Sequence, residues 1–278
     1  MNSCRVSVAT LISVAIVLPF SILSGEAMFS EPVTRSHRPL GLAVQIAQAS
    51  AADLLARSLQ KAQANDYRGA IADLNQAIQL NPNLSEAYYL RAGFRLKVND
   101  RAGAMTDYSQ AIRLNPNYTA AYYDRGIARY EAKDVQGAIA DFTQAIRSQP
   151  DLSIAYYNRG IAHSDAGNDQ AAIQDYTRAI EIDGEWLNKG PSSAYNNRGF
   201  SRARLGDLRG AVDDHTQAIQ LQADNALAYY NRGVAYAKLN NRSQALADFR
   251  RSAQLFQQQN NRVGYNRAIH NIRVLEGR

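Results

Sequence analysis

One spacing constrains this 278-residue chain more than any other feature. Ala70, Ala104, Ala138, Ala172, Ala211 and Ala245 recur at intervals of 34, 34, 34, 39 and 34 residues. Self-similarity at a fixed period of this size means a row of equivalent supersecondary units. Two more small residues keep register with each alanine. Twelve positions earlier stand Ser58, Ala92, Gly126, Gly160, Gly199 and Gly233, and seven later stand Ala77, Ala111, Ala145, Ala179, Ala218 and Ser252. Three small positions in one unit let two antiparallel helices pack with their backbones close. Larger groups fill the slots between them. Tyr88, Tyr122, Tyr156, Tyr195 and Tyr229 fall early in the first helices, and Leu74, Tyr108, Phe142, Tyr176, His215 and Phe249 fall inside the second.

Candidate caps agree with these boundaries. Ser85, Thr119, Ser153 and Ser192 precede the first helices, and Asp66, Asp100, Asp134, Asn168, Asp207 and Asn241 precede the second. At such positions a side-chain oxygen can accept from a free backbone N–H. Pro82, Pro116 and Pro150 close three units.

Period and small/large/small register together resemble the tetratricopeptide repeat (TPR) family, over six copies in residues 51–258. The resemblance implies an all-α fold, a right-handed superhelical solenoid of six helix pairs whose first helices line a concave groove. A single repeat cannot bury its apolar face, so the ends of such an array need caps. Leu54, Leu55 and Ala56 replace the tyrosine and asparagine of later repeats, which suits a first-repeat cap. Near the other end Tyr265, Ala268, Ile269, Ile272 and Leu275 form an apolar stripe at helical spacing. Tyr265-Asn266-Arg267-Ala268 also echoes Tyr157-Asn158-Arg159-Gly160. Residues 259–278 are therefore expected to form a capping helix, a seventh first helix, for thirteen helices and no strand after residue 50. The longer fourth interval places five extra residues around the only tryptophan, Trp186. Trp186 either covers a longer turn or meets a partner, since insertions in repeat arrays map to loops and tryptophan is enriched at binding hot spots.

Ahead of the repeats, Arg5 precedes an apolar run over 6–23. That pattern predicts a signal peptide ending at Ala27 or a retained membrane anchor, with 28–50 as a linker. An exported (periplasmic or secreted) or membrane-anchored protein is the expectation, with a tether through the N-terminus in the second case. The single cysteine, Cys4, excludes an intramolecular disulfide. Charge is uneven. Residues 51–241 hold 21 basic and 21 acidic side chains, whereas 242–278 hold seven arginines against Asp248 and Glu276.

Two constellations recur. Arg57, Arg91, Arg125, Arg159, Arg198 and Arg232 are each followed sixteen residues later by Asp73, Asp107, Asp141, Asp175, Asp214 and Asp248. A planar guanidinium suits a bidentate carboxylate contact, and a catalytic group is not needed six times, so the pairs read as structural. Directly before the arginines come Asp124, Asn158, Asn197 and Asn231, with Asn266 in the capping helix; before those lie Tyr89, Tyr123, Tyr157, Asn196 and Tyr230. By the TPR resemblance these face the groove. A column of amides can donate to and accept from an extended peptide backbone whatever its sequence. It is similar to the asparagine ladder of TPR-containing glycosyltransferases. The alternative is that YYNRG is a favoured helix start with a solvated face. The lysine/asparagine/arginine clamp of chaperone-binding TPR domains has no counterpart, because tyrosine and asparagine stand at the corresponding sites.

His37, His163, His215 and His270 are scattered, with no partner at metal-ligand spacing. There is no phosphate loop or nucleophile motif. The expectation is a binding scaffold or assembly factor for an unidentified protein or peptide, with no enzyme activity, metal or cofactor. A second reading is an adaptor that meets a membrane surface or polyanion through the basic C-terminal end. Nucleic acid is not expected, because the arginines lack interleaved aromatics.

Overall fold

A computed structural model describes residues 50–182 and 190–277. The expected signal or anchor segment, the expected linker except Ser50, and Trp186 lie outside the described residues. Thirteen helices and no strand are present among the described residues, and no helix among them is long and apolar enough to cross a membrane. They fall in two compact units that divide after Asp100. The first holds α1 (Ala51–Gln63), α2 (Tyr67–Leu80) and α3 (Ser85–Lys97). The second opens with α4 (Arg101–Leu114), α5 (Thr119–Glu131), α6 (Val135–Ser148), α7 (Ser153–Asp165) and α8 (Asp169–Glu181). It continues through α9 (Gly190–Arg204), α10 (Leu208–Leu221), α11 (Ala226–Lys238), α12 (Arg242–Gln258) and α13 (Arg262–Glu276).

Four of the helix pairs, α5 with α6, α7 with α8, α9 with α10 and α11 with α12, close on a glycine set against a ring. A Cβ added to Gly160 would lie 2.8 Å from the Tyr176 ring, and one on Gly126 would lie 2.8 Å from Phe142. Gly199 faces His215 and Gly233 faces Phe249 in the same way. The alanines of the 34-residue register, among them Ala138, Ala172 and Ala211, are wholly buried. Close approach of the two backbones is thus what the glycines and alanines supply.

The caps depart from expectation in an instructive way. Asp66, Asp134 and Asp207 accept from the backbone N–H of Gly69, Gly137 and Gly210. Asn168 and Asn241 make no side-chain cap bond, and their third following residues are Ala171 and Gln244. At Gly137 the fit is close, since a Cβ there would stand 2.1 Å from Asp134 Oδ2. The first helices differ more. Ser85, Thr119 and Ser153 are their first residues, preceded by Leu84, Tyr118 and Leu152, which offer no capping oxygen. Ser192 lies inside α9, buried, and donates to the Ala218 carbonyl across the pair. Asn225 does cap α11, at the Ala228 N–H.

The expected C-terminal helix spans Arg262–Glu276, but its entry and register differ from those of a first helix. Turns inside the pairs carry a left-handed residue, such as Asn65, Lys133, Gly167, Gly206 or Asn240, and Asn260 before α13 is another. Asn261 then caps Gly264 as the aspartates cap theirs. So α13 is entered by the turn that elsewhere leads into a second helix, not a first. Its predecessor α12 runs 17 residues where α10 has 14, which shifts everything after it along the repeat register.

Candidate binding surface on the first helices

Four of the arginines, Arg125, Arg159, Arg198 and Arg232, are held at three points. In each case Nε and Nη2 form a fork on the aspartate of the same pair, at 2.8 and 2.7 Å for Arg125–Asp141 and 2.9 and 2.6 Å for Arg159–Asp175. Arg198–Asp214, Arg232–Asp248 and Arg57–Asp73 repeat the geometry. Nη1 then crosses to the preceding second helix. It reaches Ser109 Oγ from Arg125, Thr143 Oγ1 from Arg159, Thr177 Oγ1 from Arg198 and Thr216 Oγ1 from Arg232, at 3.0 to 3.1 Å. A tyrosine ring one turn earlier covers the guanidinium, with Tyr156 centred 5.5 Å from Arg159. Three N–H groups of Arg125, Arg159, Arg198 and Arg232 are therefore directed at the protein. The hydroxyl partner was visible in the sequence, sixteen residues before Arg125, Arg159 and Arg232, but only the following aspartate attracts notice there.

The amide column forms a chain of cross-links. Asn158 Nδ2 donates to Tyr123 Oη at 2.9 Å, Asn197 Nδ2 to Tyr157 Oη at 3.2 Å and Asn231 Nδ2 to Asn196 Oδ1 at 3.1 Å. Each bond joins one first helix to the next. In α13 the donor to Tyr230 Oη is Asn271, at 3.1 Å. Asn266, five residues earlier and exposed, does not take that place, which follows from the register shift after α12. Asp124, Tyr157 and Asn196 are buried and offer little contact area. Asn158, Asn197 and Asn231 are half-buried. Each uses one N–H inside the array, which leaves the second N–H and the carbonyl oxygen for other bonds.

Tyrosine ionisation is opposed on this surface. The Tyr123 hydroxyl is pushed far up, chiefly by burial and further by the Asp124 carboxylate, so it remains a neutral acceptor for Asn158. The fifth repeat replaces the tyrosine with Asn196 and the ring beneath it with His215, and the two meet at 3.1 Å. Burial, helped by the Arg232 charge, holds the imidazole pKa down at about 3. His215 is a neutral core residue, as its place in the aromatic slot suggested. Among the described residues no three His, Cys, Asp or Glu side chains gather into a metal site.

Phe200 is the residue that sequence reasoning missed. It lies in α9 one position after Gly199, 47% exposed, with the Arg204 guanidinium 6.0 Å from its ring centre. Ile127, Ile161 and Val234 hold the equivalent position after Gly126, Gly160 and Gly233. The signal was an apolar residue recurring directly after the seam glycine.

Residues 95–152, 123–185 and 226–259 match family models described as tetratricopeptide repeat, and 199–240 match one described as TPR repeat. The chain belongs to the tetratricopeptide repeat family. Solved structures share the TPR fold. One is YrrB, described as a TPR protein with an unusual peptide-binding site, at TM-score 0.61 and 24% identity, covering 71% of this chain and 96% of that one. MamA follows at 0.58 and 21%, covering 64% and 94%. PilF of Pseudomonas aeruginosa gives 0.63 and 15%, covering 80% and 97%. At these identities the likeness is one of fold. A comparison with curated proteins found no match.

Proposed function

We propose that this TPR chain is a non-catalytic scaffold that binds a peptide or protein segment along the first helices of its second unit. The observation that carries the reading is the amide row. Asn158, Asn197 and Asn231 recur once per repeat, and one N–H of each is already fixed to the neighbouring repeat. A side chain held in place loses little entropy when a ligand arrives. Its second N–H and carbonyl can meet a backbone amide of any sequence. Ile127, Ile161, Phe200 and Val234 run beside the row and supply apolar contact. YrrB, by its description, uses a TPR fold for peptide binding, which makes a polypeptide the natural occupant.

A photo-crosslinking amino acid placed at Phe200 tests this, with one at the exposed second-helix residue Arg68 as control. The expected result is a polypeptide adduct from position 200 and none from 68. Equal labelling at both, or labelling from 68 alone, overturns the reading.

A further inference from the structure

We propose that the exposed face of α13 docks on an anionic phospholipid surface. This surface is separate from the first-helix row and does not depend on it.

The helix is two-sided. Gly264 and Ala268 are buried, Tyr265 packs beside Leu255 and Phe256, and Asn271 is bonded to Tyr230. Arg262, Val263, Arg267, His270, Arg273 and Val274 are all exposed. At 100° per residue these six fall within an arc of roughly 140°. Arginines lie toward both edges of the arc, with His270 and the valines between them. No acidic residue falls on it.

The arc is also uncompensated. Asp248 is buried under the Arg232 fork, and Glu276 pairs with Arg250 at 2.8 Å. No carboxylate pairs with Arg262, Arg267 or Arg273 among the described residues. By contrast, residues 51–241 balance, with 21 charges of each sign. The molecule's excess charge is therefore concentrated at one end. A terminal repeat needs a polar outer face for solubility, and a mixture of lysine and glutamate would meet that need. Solubility does not ask for a single sign, nor for Val263 and Val274 left 50% and 60% exposed among the arginines.

Charge complementarity selects an anionic occupant. The arc is convex and carries no exposed aromatic on which bases could stack. A helix face that carries arginines and exposed valines together fits the boundary between headgroups and acyl chains. Basic residues near such a surface each strengthen attraction several-fold, within a Debye length.

Vesicle flotation of the full chain tests the proposal, with phosphatidylcholine alone against phosphatidylcholine mixed with phosphatidylserine. The apolar run over 6–23 would hold both kinds of vesicle equally and resist salt, so it does not imitate the expected result. Binding should favour the phosphatidylserine vesicles and weaken as salt rises. Arg262→Gln/Arg267→Gln/Arg273→Gln should lose that preference, by on the order of a hundredfold. Arg68→Gln/Arg147→Gln/Arg209→Gln removes the same charge from exposed sites elsewhere and should keep it. The lysine version of the α13 triple keeps charge without the guanidinium fork and should bind like the parent, whatever the glutamine version does to folding. No salt-sensitive excess on the phosphatidylserine vesicles, equal loss of that excess in the two glutamine triples, or its loss in the lysine triple overturns the proposal. Retention on polyglutamate with none on vesicles overturns it too, and makes the partner an acidic polypeptide.

Discussion

His215 Nδ1 stands 3.1 Å from Asn196 Oδ1, and this polar pair replaces an aromatic couple kept on both sides of it. Tyr157 and Tyr176 lie 6.0 Å apart in the preceding repeat, and Tyr230 and Phe249 lie 5.6 Å apart in the following one. Asn196 Oδ1 also accepts from Asn231 Nδ2, so His215 must be the donor and its neutral Nδ1–H form is selected. Asn196→Tyr strands the buried His215 Nδ1–H, whereas His215→Phe leaves Asn196 Oδ1 with the Asn231 bond alone. Asn196→Tyr should destabilise by about 1–3 kcal/mol, and His215→Phe by about 0.5–1.5 kcal/mol. The double variant restores the aromatic couple and should recover at least about 1 kcal/mol relative to additivity, in a denaturant double-mutant cycle.

The same residue sets a pH dependence. Its folded pKa of about 3 lies below the ordinary 6.5, so the unfolded chain binds the proton more readily. The stabilisation from neutral His215 is complete above pH 6.5 and is lost progressively as pH falls from there toward about 3. At about 1.4 kcal/mol per pH unit, acid to pH 5 should remove roughly 2 kcal/mol in the parent. The His215→Phe/Asn196→Tyr variant should lack this component, with urea midpoints at pH 7 and pH 5 as the measurement.

The arginine forks should matter more inside the array than at its start. Arg125 and Asp141 side chains are 12% and 3% exposed, whereas Arg57 beside Asp73 is 48% exposed. Asp141→Ala leaves Arg125 without an anion and also removes the carboxylate that lies 2.9 Å from Arg129. Arg129 keeps Asp134 at 3.6 Å, so the uncompensated charge is that of Arg125, and the loss should be about 3 kcal/mol. Asp73→Ala should cost clearly less, because water can reach Arg57. Similar losses at the two sites in thermal or urea unfolding would show that burial does not govern these pairs.

Much of the architecture was legible because it rests on residue size at fixed spacing: the ring of Tyr176 requires the absent Cβ of Gly160, and both stand in the sequence. Capping was half legible. Asp134 and Gly137 work as a couple, and a reading of cap residues alone passes over the glycine. Gly137→Ala should therefore cost about as much as losing the cap, about 1 kcal/mol, while Asn168→Ala should be nearly neutral because that side chain caps nothing. The α13 register was hidden for a related reason. The Tyr265-Asn266-Arg267 echo is strong as text, but Asn261, Gly264 and the Phe256 ring pressed on that glycine decide how the helix enters. The amide row was legible as a column and illegible as a set of bonds, since Asn158 and Tyr123 lie 35 residues apart and either could have faced outward.

Those bonds change what truncating the amide row should do. If Asn158, Asn197 and Asn231 served a ligand alone, the triple alanine variant would weaken binding and leave the fold untouched. Each instead joins two repeats, so the variant should also lower stability, by about 0.5–1.5 kcal/mol for each lost bond. The two roles separate through the acceptor. Tyr123→Phe removes only the hydroxyl, 2.9 Å from Asn158 Nδ2, and releases the amide without deleting it. Stability should fall by about the same 0.5–1.5 kcal/mol, while the amide can still meet a backbone group, now from a less fixed position. For a polypeptide captured through position 200, Asn158→Ala should weaken affinity roughly three- to tenfold. Tyr123→Phe should weaken it less than that. Equal losses of affinity would mean that Asn158 acts on the ligand only by stiffening the array. Unchanged affinity in both would place the ligand away from the amide row, with the stability changes remaining as the row's whole role.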